Sequence, residues 1–335
     1  IRETEWDVND EKQLKSSFAF AFFTIFKGIL EPVTISTFDS WIRASFQINV
    51  PLDWVGYDVG DQFWDAFPRP CLHAMYHQNG SLVPLDYKLL SNEPYITPSE
   101  RSKNIVLLKD INVLTATFLP LLKEATILTK YKENLLIYGQ KMSGKSNFLH
   151  FLLKDMPDVV PVFIPITPLS SSNTTLQFLA NHSPIIKKDY FMSKTDKTYA
   201  LIFDNVEPSN TRALEFIRMI ATTNTIPYVS KNDPKIIEYV QLHNFFLIVI
   251  TEDIRLLPSR FLSRFIPIQI PHPTSNTLTH IFRQIASFCK VKVELADSIL
   301  QLYYEMKIKH FNILKYLEML IHIPEKSASD DLEQE

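Results

Sequence analysis

Glycine is almost missing from this chain, with 6 residues in 335, where the usual share is about 7%. Gly28, Gly56, Gly60 and Gly80 fall in the first eighty positions, and only Gly139 and Gly144 follow. No low-complexity tract and no repeat at a fixed period is present. Cysteine is scarcer still. Cys71 and Cys289 stand far apart, so neither a disulfide framework nor a CxxC metal pair can be built, and a reducing compartment is the default. Long apolar runs are absent too. The most apolar stretch, residues 18–26, is about half of the roughly 20 residues a membrane span needs. No basic segment precedes it, which argues against a signal peptide. A net charge of −3 gives no support for a nucleic-acid partner, because a duplex-gripping protein shows a basic face. The first residue is Ile, and the chain is read as a piece of something longer.

What is present is an ordinary globular balance, 46% hydrophobic and 21% charged, with enough length for two or three domains. Residues 1–50 read as helical. Phe18, Phe22, Ile25, Phe26 and Ile29 repeat at helical spacing, as do Phe38, Trp41, Ile42 and Phe46 beyond Pro32. Residues 51–104 carry six prolines and three glycines and read as a connector of short strands and turns. From 105 to 275 helices and strands alternate. Strands are expected at Leu135–Tyr138, 159–166, 199–203, 245–250 and 265–270, and helices at 113–129 (bent by Pro120), 147–154, 174–181 and 211–221. Five strands separated by helices imply a parallel α/β sheet with right-handed crossovers. Residues 276–323 turn helical, at 278–288, 294–306 and 312–323, and 324–335 form an acidic tail.

Both late glycines belong to one motif, Gly139-Gln140-Lys141-Met142-Ser143-Gly144-Lys145-Ser146. The pattern is that of a P-loop, in which the backbone curls so that successive N–H groups point at phosphates. Glycines permit those backbone angles. Lys145 is expected to reach the β and γ phosphates of ATP or ADP, and the Ser146 hydroxyl to coordinate Mg²⁺. The helix then opens at Asn147 with its positive dipole end at the site. In so glycine-poor a chain, a chance match has odds on the order of one in a thousand.

Such a site needs a carboxylate at a neighbouring strand end to hold the Mg²⁺ shell, and Asp204 closes the run Tyr199-Ala200-Leu201-Ile202-Phe203. The next position often carries a second carboxylate that polarises the attacking water. Here it is Asn205, which can orient water but cannot accept its proton. The expectation is strong nucleotide binding with slow or no hydrolysis, and no confident catalytic residue. Thr251 ends the strand at 245–250, where a polar residue can touch the γ-phosphate or its water; a simple strand-end threonine is the competing account. Arg260 and Arg264 precede the last strand, where arginines of ring ATPases reach into a neighbouring module's site. Ordinary surface arginines are the competing account. His73 and His77 lie in the connector and show no metal-site context.

The order of parts resembles an AAA+ module, and more narrowly the third AAA+ module of a dynein heavy chain. The resemblance spans most of residues 18–322. Stretch 18–46 is similar to the helical end of the preceding module, and 82–111 to the connector leading in. Stretch 160–188 resembles the strand, Ser/Thr-rich turn and helix after the P-loop. Residues 201–208 carry the acidic strand and its proline, 256–285 the arginine-bearing segment and first lid helix, and 310–321 a lid helix opening with Phe311-Asn312. The fold implied is an α/β P-loop AAA+ module with a five-stranded sheet, followed by a helical lid and preceded by a helical segment and a β-rich connector. Two departures stand out: Asn205, and Leu314 where the family's lid carries a phosphate-sensing arginine. The resemblance implies a regulatory or structural module of a microtubule motor, holding Mg-ATP or Mg-ADP. Its partners would be neighbouring modules of the same heavy chain, with microtubules and dynein light and intermediate chains engaged elsewhere in the parent. It implies no nucleic-acid or membrane partner, and a cytoskeletal location with an axonemal, ciliary or flagellar flavour. The rival readings are a stand-alone P-loop switch of the origin-recognition or signalling type, and a scaffold with an empty or ADP-filled pocket.

Overall fold

The computed structural model describes residues 11–48, 72, 75–78, 81–84, 95–96, 111–115, 117–166, 186–187, 190–191, 197–229 and 237–306. In chain order the elements are α1 (Glu11–Lys27), α2 (Pro32–Phe46), β1 (Met75–Gln78), β2 (Ser81–Pro84), β3 (Tyr95–Ile96), β4 (Ile111–Asn112), α3 (Phe118–Lys130), β5 (Leu135–Tyr138), α4 (Lys145–Lys154), β6 (Val159–Pro165), β7 (Ile186–Lys187), β8 (Tyr190–Phe191), β9 (Thr198–Asp204), α5 (Thr211–Thr223), β10 (Thr225–Val229), β11 (Ile237–Gln241), β12 (Phe245–Thr251), α6 (Ser259–Leu262), β13 (Ile266–Gln269), α7 (Ser275–Phe288) and α8 (Val293–Met306). The helices expected at 174–181 and 312–323, the tail and most of the connector lie outside the described residues.

Two compact units divide the chain. The first draws on Ile1–Leu52, Pro68–Pro84 and Pro120–His272, the second on Asp53–Phe67, Leu85–Leu119 and Pro273–Glu335. The centre of the first unit is a five-stranded sheet in the order β13-β5-β12-β9-β6, with every neighbouring pair parallel. The expected α/β class and strand count are thus present. Strand β12 (Phe245–Thr251), apolar through Ile250, lies at the middle, as its lack of alternation requires: strands covered on both faces read as continuous hydrophobic runs.

Alternate residues of the sheet show which helices cover which face. Leu136, Leu201, Phe203, Leu247 and Val249 share a cluster with Leu214, Ile217 and Ile220 of α5 and Phe261 of α6. The opposite parity, including Leu135, Ile137, Ile202 and Ile248, is fully buried as well. Right-handed crossovers explain the division. The step from β5 to β6 runs one way across the sheet, and those from β9 to β12 and from β12 to β13 run the other way. Helix α4 therefore lies on the face that α5 and α6 leave free. Its Phe148, Leu149, Phe151 and Leu152 are buried.

Several boundaries differ from expectation for identifiable reasons. Helix α3 starts at Phe118, not at 113, and Pro120 falls in its first turn, where a missing N–H costs nothing and no bend is needed. Helix α7 starts at Ser275 because Thr274 caps it, accepting from the Thr277 N–H at 3.3 Å. The antiparallel pair β10–β11 was not anticipated. Pro227 interrupts the strand pattern, and in a two-stranded ribbon both strands have an outer side where a residue lacking N–H is tolerated.

Helices α1 and α2 form a hairpin held by aromatic contacts, Phe23 on Phe38 at 5.8 Å and Phe18 on Phe46 at 5.5 Å between centroids. Buried Asp39 takes Arg43 Nε at 2.7 Å and the Leu72 N–H at 2.6 Å. The C-terminal end of α1 meets the sheet. Lys27 and Glu124, both buried, make an ion pair at 2.6 Å to α3. Gly28 lies so close to the Pro267 carbonyl of β13 that any Cβ would collide with it.

In the second unit β3 and β4 pair antiparallel. Helices α7 and α8 pack through Phe282, Ile285, Ala286, Ala296 and Leu300, with Ile111 and Val113 in the same cluster. A fork from Arg283 to Asp297, at 3.0 and 2.9 Å, ties the two helices at the surface. Among the described residues no helix is long and apolar enough to cross a membrane.

Candidate phosphate-binding site

The sheet register brings the chosen residues to one edge. Tyr138, the last residue of β5, pairs with Thr251 of β12 and Gln269 of β13. On the next strand Phe203 pairs with Val249, so Asp204 sits one level below Thr251. The loop after Tyr138, the end of β9 and the end of β12 thus share the carboxyl edge of a parallel sheet, where open α/β folds bind ligands.

The loop is built as its composition requires. Gly144 has φ 91°, a value glycine carries without steric cost, whereas Met142 holds φ 65° in the left-handed region that its Cβ disfavours. Gly139 is needed for space: a Cβ there would strike the Ile270 carbonyl and come within 2.8 Å of Ser143 Oγ. Gly144 is the N-cap of α4, whose ladder begins with the Phe148 N–H donating to the Gly144 carbonyl at 2.9 Å. The N–H groups of the preceding turn are the helix's orphan donors. Inside the curl, Ser143 is 4% exposed and its Oγ has no hydrogen-bond partner.

Lys145 Nζ donates to the carbonyls of Gly139 and Gln140 at 2.7 and 2.9 Å, so its ammonium is folded back over the loop. Burial pushes its pKa down, and the carboxylates of Glu252 and Asp204 oppose that shift. Asp204 is exposed, and its Oδ1 accepts the Asn205 N–H at 2.8 Å. Asn205 is exposed with φ 55°, a left-handed conformation that asparagine tolerates. Thr251 is buried and its hydroxyl donates to the Val206 carbonyl at 2.8 Å, which fixes the β9 loop to β12. Ser146 is exposed at the mouth of the loop and Asn147 is half-buried.

The residues fit a polyphosphate with Mg²⁺. Orphan helix donors, an unpartnered buried hydroxyl and a lysine suit phosphate oxygens, and Ser146 with Asp204 is an all-oxygen pair of the kind Mg²⁺ takes. The arginine candidates are placed apart from this loop. Arg260 lies 2.6 Å from Glu215 of α5 and stays 68% exposed, a contact worth little in solvent. Arg264 is exposed. No cluster of three or more His, Cys, Asp or Glu suited to a metal occurs among the described residues.

One residue escaped the sequence reading. Glu252, directly after Thr251, has Oε1 3.6 Å from Lys141 Nζ. A single acid after an apolar strand carries no spacing signal, and only the strand register sets it beside the loop.

No family model and no curated protein matches the chain. Solved structures similar to it include two mutants of Thermotoga maritima RuvB. The glycine-for-proline mutant aligns at TM-score 0.38 and 16% identity over 59% of this chain and 66% of that one. The arginine-for-lysine mutant aligns at 0.37 and 17% over 53% and 52%. The chain thus spans from about half to two thirds of those proteins.

Proposed function

We propose that this chain is a nucleotide-binding AAA+ module that holds Mg-ATP or Mg-ADP at residues 139–146 with Asp204. The observation that carries the reading is the P-loop itself, curled around the partnerless Ser143 hydroxyl at the start of α4. The nucleotide is bound and oriented, and turnover is weak or absent. Asn205 cannot take a proton from water, and the Asp204 oxygen nearest to it is already bonded to its N–H. Bound Mg²⁺ would neutralise phosphate charge. The chain's own part is to align the phosphates with Lys145 and the α4 donors.

The finer reading is a regulatory or structural module of a dynein-type microtubule motor. Neighbouring modules would be its direct partners, and Arg260 or Arg264 would face the next site. The order of motifs and the two departures, Asn205 and Leu314, support it. The same reading places the parent at the cytoskeleton.

Calorimetry on the chain and on Lys145→Ala is the test. Micromolar ADP or ATP binding is expected in the parent, weakened at least tenfold by the substitution. Equal affinity in the two proteins would falsify the proposal. Turnover above roughly 1 per second would sink the hydrolysis-poor half of it.

A further inference from the structure

We infer that Glu252 sets the nucleotide preference of this loop, making it favour a nucleoside diphosphate over the triphosphate. The inference rests on reading residues 139–146 as a phosphate cradle.

Thr251 pairs with Tyr138 in the sheet, so the residue after Thr251 emerges alongside the residue that opens the loop. The backbone there is fixed, since Thr251 is buried and bonded to the Val206 carbonyl. From this anchored position the Glu252 side chain reaches Lys141 of the loop. Its Oε1 is 3.6 Å from Lys141 Nζ.

The two carboxylates differ in what they can do. Asp204 ends β9 and is the oxygen donor suited to Mg²⁺. Glu252 directly follows β12, the intervening strand, on the side of Lys141. A lysine in the position of Lys145 reaches both the β and the γ phosphate. A negative charge held at the loop beside Lys141 therefore opposes the more highly charged tail, and the γ-phosphate bears most of that repulsion. The orphan N–H groups of the curl, which serve the phosphates nearer the nucleoside, are untouched. Glu252 is 47% exposed by its side chain, so solvent and salt screen the effect, and a difference of severalfold is the scale to expect.

Calorimetry with Mg-ADP and Mg-ATP separately, on the full chain and on Glu252→Gln, Glu252→Lys and Lys145→Ala, tests the inference. Glu252→Gln is expected to tighten Mg-ATP about fivefold and Mg-ADP less than twofold, with Glu252→Lys going further in the same direction. In the parent, added salt should narrow the gap between the two nucleotides. Weaker Mg-ATP binding in Glu252→Gln would mean that the carboxylate helps hold the cation, and would overturn the inference. So would an equal shift for both nucleotides, or none. Thermal melting of each variant confirms folding, and the charge reversal serves if the neutral variant fails to fold. Absence of binding in the parent, or unchanged binding in Lys145→Ala, defeats the underlying cradle reading instead.

Discussion

Tyr138 joins two parts of the first unit through one atom. Its hydroxyl donates to the Gly28 carbonyl at 2.7 Å, and burial, aided by the Asp253 charge, pushes its pKa up to about 12. The sign follows from linkage. The folded state keeps the phenolic proton longer than the unfolded chain, so the stabilisation is whole below about pH 10 and is lost as pH rises toward 12. Tyr138→Phe should flatten that part of the alkaline stability profile relative to the parent, read from urea midpoints between pH 9 and 11.5. An unchanged slope would count against the contact. The Lys27–Glu124 pair offers a second test. Removing one partner of a buried pair strands the other charge, at a cost of about 3–5 kcal/mol, whereas replacing both with apolar groups is close to neutral. Lys27→Met alone should lower the urea midpoint sharply, and the double variant with Glu124→Leu should recover most of the loss.

At the scale of elements, the sheet's two edges are handled differently. Strand β6 is one edge, and it carries Pro161 and Pro165 at the same parity. Proline is tolerated in a sheet where its missing N–H would have faced outward, so this edge is a poor template for a further strand. The other edge, β13, meets Gly28 at the end of α1. Gly28→Ala would drive a methyl group into the Pro267 carbonyl and should cost about 1–3 kcal/mol, measured as a loss of thermal stability with nucleotide affinity also reduced. Elements with strong patterns were legible in advance. Leu135–Tyr138 was read to the residue, and β9 and β12 to within one, because continuous apolar runs demand two covered faces. What escaped was set by long-range geometry. The β10–β11 ribbon is masked by Pro227, and α7 gains its first turn from a threonine cap on otherwise polar residues. Lys145, Ser146 and Asp204 were readable because a motif fixes their roles. Glu252 was not, since its place depends on which strands become neighbours.

For the whole molecule, the helical hairpin α1–α2 belongs to the same compact unit as the sheet, although nearly ninety residues separate it from β5 in sequence. The amides of α1 near Lys27 should therefore exchange hydrogen with a protection close to that of β5 and β12, as one cooperative block. Much faster exchange in α1 than in β5 would argue that the hairpin is a loosely attached appendage.

Because Tyr138 immediately precedes Gly139, the hydroxyl that holds the helix end and the first bend of the loop sit on adjoining residues of one rigid strand. A ligand whose binding moved the end of that strand would load the hydrogen bond to the helix end. The amino-terminal hairpin is thereby positioned as a pointer whose deflection would report what the loop is holding.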